Sequence, residues 1–188
     1  MAIRMLVVVD VQNDFLKGGA LAYGYPERSN TSDLIAYVKE WRRSDPCRER
    51  TIIVGTMDTH DEHYKESLEG RNLPISHCIK NTPGWRFPDN EQGYLNDFLD
   101  KVILKPTFGT FRIAELVREI EAERCEKVTE IFLCGYDLSI CVLANAVLLR
   151  AAFPDKVISV KASLCGDVDE ESYKAAVKVL RNQQILVV

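Results

Sequence analysis

The chain has 188 residues, 46% of them apolar and 28% charged, with a formal net charge of −4. That mildly acidic balance, without a lysine- and arginine-rich run, excludes the basic face of a nucleic-acid binder and a polybasic membrane anchor. The length suits one domain over residues 1–188, able to bury roughly 70% of the surface that the unfolded chain exposes.

The start, Met1-Ala2-Ile3-Arg4, runs straight into an apolar stretch that ends at Asp10. The stretch is too short to cross a bilayer and has no small-residue cleavage site, so a cytoplasmic location is expected. Ile3–Val9 reads as a buried strand. Leu34, Ile35, Val38 and Trp41 recur at helical spacing and predict a helix over Thr31–Arg43. Thr51–Thr56 reads as a second strand, Val102–Leu104 as a third, and Phe111–Glu123 as a helix. A fourth strand follows at Val128–Leu133, then a helix at Cys141–Ala152 and a fifth strand at Lys156–Val160. A helix at Glu170–Arg181 and a last strand at Ile185–Val188 complete the pattern. Strands that are apolar throughout and alternate with helices imply a parallel sheet covered on both faces. The expected fold class is α/β, a three-layer α/β/α Rossmann-like architecture with a six-stranded parallel sheet. Residues 58–97 form a long irregular connection and are a candidate functional loop.

In open parallel sheets, ligands bind beyond the carboxyl ends of the strands. Strand one ends in Asp10, strand two in Met57-Asp58-Thr59-His60, and strand three in Lys105. Strand four runs into Gly135-Tyr136-Asp137-Leu138-Ser139-Ile140-Cys141. A carboxylate, metal-type ligands, an amine and a thiol are thus expected on one rim. Cys141, at the start of a predicted helix, is expected to have a lowered thiol pKa. Asp10 is placed to take the thiol proton and return it to a leaving amine. Lys105 is placed to stabilise developing negative charge.

The chain has three histidines, His60, His63 and His77. Asp58 and His60 alternate, so both point to one side of extended backbone. His77 returns from the long connection, and Glu69 lies between them as a further candidate ligand. One carboxylate with two imidazoles suits a divalent ion, Zn²⁺ first, with Fe²⁺, Mn²⁺ or Mg²⁺ as other choices. His63 reads as a solvated loop histidine. The six cysteines are Cys47, Cys78, Cys125, Cys134, Cys141 and Cys165, too widely spaced for a CxxC motif, and free thiols are expected. Two other readings compete with a hydrolase. One is a catalytically silent metal-binding domain. The other is a thiol sensor in which Cys134 resolves Cys141.

The quoted residues also carry a likeness. Val8-Val9-Asp10-Val11-Gln12-Asn13-Asp14-Phe15, Asp58-Thr59-His60, His77-Cys78-Ile79 followed by Thr82-Pro83-Gly84, Lys105, and Cys141-Val142 stand in order along the chain. In them the chain resembles the isochorismatase-like cysteine hydrolases, in their nicotinamidase-related branch. The resemblance implies a catalytic triad of Asp10, Lys105 and Cys141. It implies metal ligands at Asp58, His60 and His77, with Glu69 at a more variable fourth position. It implies a non-proline cis peptide at Tyr136–Asp137 and an oxyanion hole from the amides of Asp137 and Cys141. Phe15 is expected to pack on a flat substrate. The implied activity is hydrolysis of a small amide, nicotinamide to nicotinate plus ammonia, with a carbamoyl or ureido substrate as the alternative. A homo-oligomer, dimer or tetramer, is implied as well. The chain departs from the family's usual residues at Asp137-Leu138, at Ile140 and at Pro106-Thr107-Phe108, which implies a differently shaped pocket.

Overall fold

A computed structural model describes residues 2–25, 31–45 and 47–188; Met1, where the sequence reading starts, lies outside them. In chain order the elements are β1 (Ile3–Val9), α1 (Thr31–Ser44), β2 (Thr51–Asp58), α2 (Leu68–Asn72), β3 (Asp89–Asn90), β4 (Gly93–Tyr94), β5 (Lys101–Lys105), α3 (Arg112–Arg124), β6 (Val128–Gly135), α4 (Leu143–Ala152), β7 (Val157–Cys165), α5 (Glu170–Asn182) and β8 (Leu186–Val187). No helix among the described residues is long and apolar enough to cross a membrane.

The six-stranded sheet has the order β5-β2-β1-β6-β7-β8, and every pairing in it is parallel. The apolar runs follow from that position. Every residue of β2 is buried, and so are Met5 through Val9 of β1. Counting only the strands of this sheet, the order is 3-2-1-4-5-6, and the winding direction reverses between β1 and β6. Right-handed crossovers then place α1 on one face and α3, α4 and α5 on the other. Accordingly α4 packs against both α3 and α5, while α1 packs against the turn at Leu95–Phe98. The reversal opens a crevice at the carboxyl ends of β1 and β6, where open α/β sheets hold their ligands.

Gly135 closes β6 at that crevice, paired in register with Val9. Its φ is +126°, and a Cβ there would lie 2.0 Å from the Val9 carbonyl oxygen. No side chain fits without moving the strand. Gly135→Ala is expected to lower stability by at least ~3 kcal/mol, read as a fall in the urea midpoint.

Three elements differ from the sequence expectation. β7 runs on to Cys165 rather than stopping at Val160, because its outer half alternates buried and exposed residues and loses the continuous apolar signal. The Cys141–Ala152 helix divides into a π-type turn at Leu138–Val142 followed by α4, so Cys141 lies before the regular helix. The 58–97 connection holds α2, short 3-10 turns and the antiparallel β3–β4 pair.

Candidate active site

Asp10 leaves β1 with φ of +49°, a left-handed conformation that aspartate tolerates better than most residues. It is fully buried. One carboxylate oxygen accepts the Thr56 hydroxyl at 2.7 Å, and the other lies 2.6 Å from Lys105 Nζ. Lys105, the last residue of β5, is 1% exposed. Its ammonium donates to the Thr107 carbonyl at 2.8 Å and reaches the Cys141 sulfur at 3.7 Å. It also lies 4.0 Å from Asp58, which links the two halves of the site. Asn145, fully buried on α4, holds the thiol turn in place. Its amide donates to the carbonyls of Cys141 (2.8 Å) and Phe108 (3.2 Å), and its oxygen accepts the Thr110 amide at 3.0 Å.

The electrostatics correct one expectation. Burial and the neighbouring Asp10 push the Cys141 thiol well above its ordinary value, although Lys105 pulls the other way. Dehydration outweighs any benefit from the turn's dipole, so the resting sulfur holds its proton. Burial also raises the Asp10 carboxyl, against the pull of Lys105. Burial disfavours the Lys105 charge, yet Asp10, Cys141 and Asp58 together hold its pKa above that of an ordinary lysine.

Asp58, His60, Glu69 and His77 form a second cluster, each offering one ligand atom within 4.8 Å of the others. His60 Nε2 lies 2.9 Å from Asp58 and 3.8 Å from Glu69; His77 Nε2 lies 3.3 Å and 3.7 Å from the same two carboxylates. His77 is oriented by its other nitrogen, Nδ1, which sits 2.9 Å from the Ile75 carbonyl. That is the usual outer support of a metal-bound imidazole. His60 bridges in parallel to Ile79, which brings the His77 segment beside it. Ser67 caps α2 by accepting the Gly70 amide, and this short helix presents Glu69. Gln12 clamps the Asp58 backbone, accepting its amide at 2.7 Å and donating to its carbonyl at 2.8 Å. Burial opposes the Asp58 charge, but His60, His77 and Lys105 hold its carboxyl well below the carboxylate range. Burial and Asp58 raise Glu69. Two imidazoles and two crowded carboxylates, with their orientations fixed from behind, fit a divalent cation of the zinc type. His63 stands apart, exposed and paired with Glu66 and Glu62.

Both clusters face a cavity of about 280 Å³. Its wall includes Cys141, Asp137, Asp58, Glu69 and His77, with Phe15, Leu21, Leu73, Phe108, Ile140 and Val168 as the apolar part. Phe15 packs near His77, ring centroids 5.8 Å apart. The volume is at the small end for ligand sites and suits a single-ring molecule.

The Tyr136–Asp137 peptide is cis, as the resemblance implies. Burial, with Asp167 and Asp10 nearby, raises the Asp137 carboxyl to about 7. Between the ordinary value of 3.8 and about 7, the folded state holds a proton that the unfolded state has released. Stability therefore falls as pH rises through that window, by up to roughly 4 kcal/mol. In metal-free protein, the urea-derived stability of wild type minus that of Asp137→Asn is expected to decline from about pH 4 to about pH 7. A difference that stays flat would contradict this.

The residues missed in the sequence are Thr56, Asn145, Asp167, Gln12 and Asp14. Asp167 accepts the Ser139 amide and hydroxyl. Asp14 accepts the Cys78 amide beside His77. Gln12 and Asp14 stand inside the Asp10–Phe15 motif, which was a usable signal; the other three carry none. Cys134 is buried beside Cys165, at the β6–β7 pairing.

Comparison with known proteins agrees with this geometry. The profile of the Isochorismatase domain matches residues 4–188. A nicotinamidase of Schizosaccharomyces pombe is 27% identical over 219 aligned positions, covering 97% of this chain and 91% of that protein. Among solved structures, a Bacillus subtilis nicotinamidase superposes with a TM-score of 0.79 at 20% identity, covering 98% of each chain. A pyrazinamidase of Pyrococcus horikoshii in complex with zinc gives a TM-score of 0.74 at 24% identity, again over 98% of each chain. With a matched profile over nearly its whole length and the expected parallel sheet, the chain belongs to the isochorismatase domain family.

Proposed function

We propose that the chain hydrolyses the C–N bond of a small carboxamide and releases ammonia, with nicotinamide as the leading substrate. The observation that carries this reading is one buried array: Lys105 lies 2.6 Å from Asp10 and 3.7 Å from Cys141, and the thiol opens on the same cavity as the metal-type cluster. The S. pombe relative, a nicotinamidase, supplies the substrate.

Asp10 takes the thiol proton as Cys141 Sγ attacks the carboxamide carbon, and the C=O pair moves onto oxygen. The amides of Asp137 and Cys141 receive that oxyanion. Lys105 holds Asp10 in place and balances the added negative charge. Asp10 passes the proton to the leaving nitrogen, the C–N bond breaks, and ammonia departs. Water then attacks the thioester, with Asp10 accepting its proton, and the acid and the free thiol are regenerated. A divalent ion, zinc by preference, would be held by Asp58, His60, Glu69 and His77 and would supply a Lewis-acid anchor that orients the substrate. Phe15 packs along a flat ring. A carbamoyl or ureido substrate is the second reading, favoured by the Asp137 carboxyl on the cavity wall. Ammonia release by zinc-loaded protein from nicotinamide and from a ureido acid separates the two; release from neither removes both.

A further inference from the structure

Pro106, Thr107 and Phe108, where the sequence departs from the family's usual residues, line a second cavity of about 610 Å³, larger than the one that holds the thiol. Glu69, Leu73 and Phe108 belong to the walls of both, so the two cavities are neighbours across these residues. Cys141 lines the smaller one, while His60 of the metal-type cluster lines the larger. Both sides of the larger cavity are held from behind. On one side, the Tyr64 hydroxyl donates to the Leu73 carbonyl at 3.0 Å and Arg71 donates to the Glu66 carbonyl at 2.6 Å, which closes the 64–73 segment on itself. Tyr64 is 3% exposed, its ring packed against those of His60 and His77 at 4.6 and 5.0 Å. On the other side, Lys105 and Asn145 donate to the carbonyls of Thr107 and Phe108, and the Thr107 hydroxyl donates to the Gly109 carbonyl at 2.8 Å. Between these fixed walls apolar residues stay open to solvent: Leu68 is 70% exposed, Phe108 50% and Leu73 36%. Exposed apolar surface in a preformed concavity is what a ligand site offers. The proposed reaction leaves this space unused.

We propose that the larger cavity is an accessory subsite for an uncharged, apolar extension, aryl or branched alkyl, on the acyl part of the substrate. This deepens the amidase reading and rests on it. The reaction releases ammonia, so the leaving nitrogen bears no substituent and the extension belongs to the acyl part. A single ring suits the cavity of about 280 Å³ beside Cys141; a group that continues from it across Leu73 and Phe108 enters the larger one. Its burial against Leu68, Leu73 and Phe108 adds binding energy remote from the reacting bond. The rim is acidic. Asp61 stands in it, Glu62 and Glu66 pair with His63 there, and no lysine or arginine lines the cavity among the described residues. That arrangement selects against an anionic extension.

The test compares nicotinamide with nicotinamides that carry a phenyl or a carboxyphenyl group at each free ring position in turn. Ammonia release by zinc-loaded protein gives kcat/KM for each compound. At one ring position the phenyl compound is expected to exceed nicotinamide by roughly 10-fold or more, and the carboxyphenyl compound to fall below the phenyl one. Leu68 and Asn72, one turn apart on α2, line the larger cavity and stand outside the catalytic array. A bulky ring at either position takes up the space. Leu68→Trp and Asn72→Trp are therefore expected to leave nicotinamide turnover within about twofold of wild type and to erase the gain of the phenyl compound. A wild type that gains at no position overturns the inference. So does a gain that survives in both variants with native melting transitions, or a carboxyphenyl compound that outdoes the phenyl one. Absence of ammonia from every compound, nicotinamide included, counts against the amidase reading instead; calorimetric Kd values of the same compounds on Cys141→Ala, with and without Leu68→Trp, then decide the subsite by the same ratios.

Discussion

Cys141→Ala is expected to lower ammonia release by about 10⁴-fold or more while leaving the fold and the metal stoichiometry unchanged. The size follows from the chemistry. Among the described residues of the cavity wall, the thiol is the nucleophile placed to form a covalent acyl intermediate, and Lys105 and Asp10 are arranged around it rather than in its stead. Without the sulfur, water would have to attack the carboxamide directly, and the oxyanion donors and substrate binding alone would have to supply the remaining acceleration. Such remnants are typically a small part of the whole when residues act as a unit. The fold should survive, since alanine removes one buried atom, and the Asn145 bond goes to the Cys141 backbone carbonyl rather than to its side chain. Cys141→Ser gives a second check. A hydroxyl is far less acidic than a thiol, and in a pocket that already raises the thiol pKa it should fare little better than alanine. Metal content and near-native melting in both variants, together with ammonia release within tenfold of wild type, would refute the covalent mechanism.

The frame was legible because parallel strands buried on both faces read as mainly apolar runs, as Ile3–Val9 and Thr51–Thr56 do. Strand ends were legible for the same reason: the first polar residue after each run marks the rim. That logic brought Asp10, Asp58, Lys105 and the Cys141 turn to one place, and the register of Asp58 against Lys105 shows why. The thiol's protonation was not legible. The helix-start argument contains one favourable term, whereas the burial that outweighs it depends on how the whole crevice closes. Nor was the support of the site. Thr56 looks like any strand threonine, and Asn145 like any helical asparagine, until chain segments distant in sequence are brought against them. The 58–97 connection was read as irregular because its order comes from outside itself. The amides of Asn13 and Asp14 donate to Arg86 and Gly84, and Asp14 accepts from Cys78.

Lys105→Met should remove activity and also destabilise the protein by about 3–5 kcal/mol at neutral pH. Methionine approximates the lysine stem in length and apolar surface, so packing loss is a minor part. The main effect is on Asp10, which is fully buried and would lose the cation 2.6 Å away. It then keeps the Thr56 hydroxyl and the Cys141 thiol as neutral donors but no cation, and must take up a proton to stay buried. The sign of the pH dependence follows. Burial already raises the folded-state pKa of Asp10 above the ordinary 3.8, and removing Lys105 raises it further. Between those two values the folded state binds a proton that the unfolded state lacks, so stability declines as pH rises. The deficit of Lys105→Met should therefore be smallest in acid and grow towards neutrality in metal-free protein. Asp10→Asn combined with Lys105→Met leaves no buried charge in the pair and should regain at least half of the lost stability without regaining activity. Urea denaturation of the four proteins across pH closes the cycle. A double variant no more stable than Lys105→Met alone, or a deficit independent of pH, would mean that Lys105 acts on the fold through its packing and its bond to the Thr107 carbonyl rather than through Asp10.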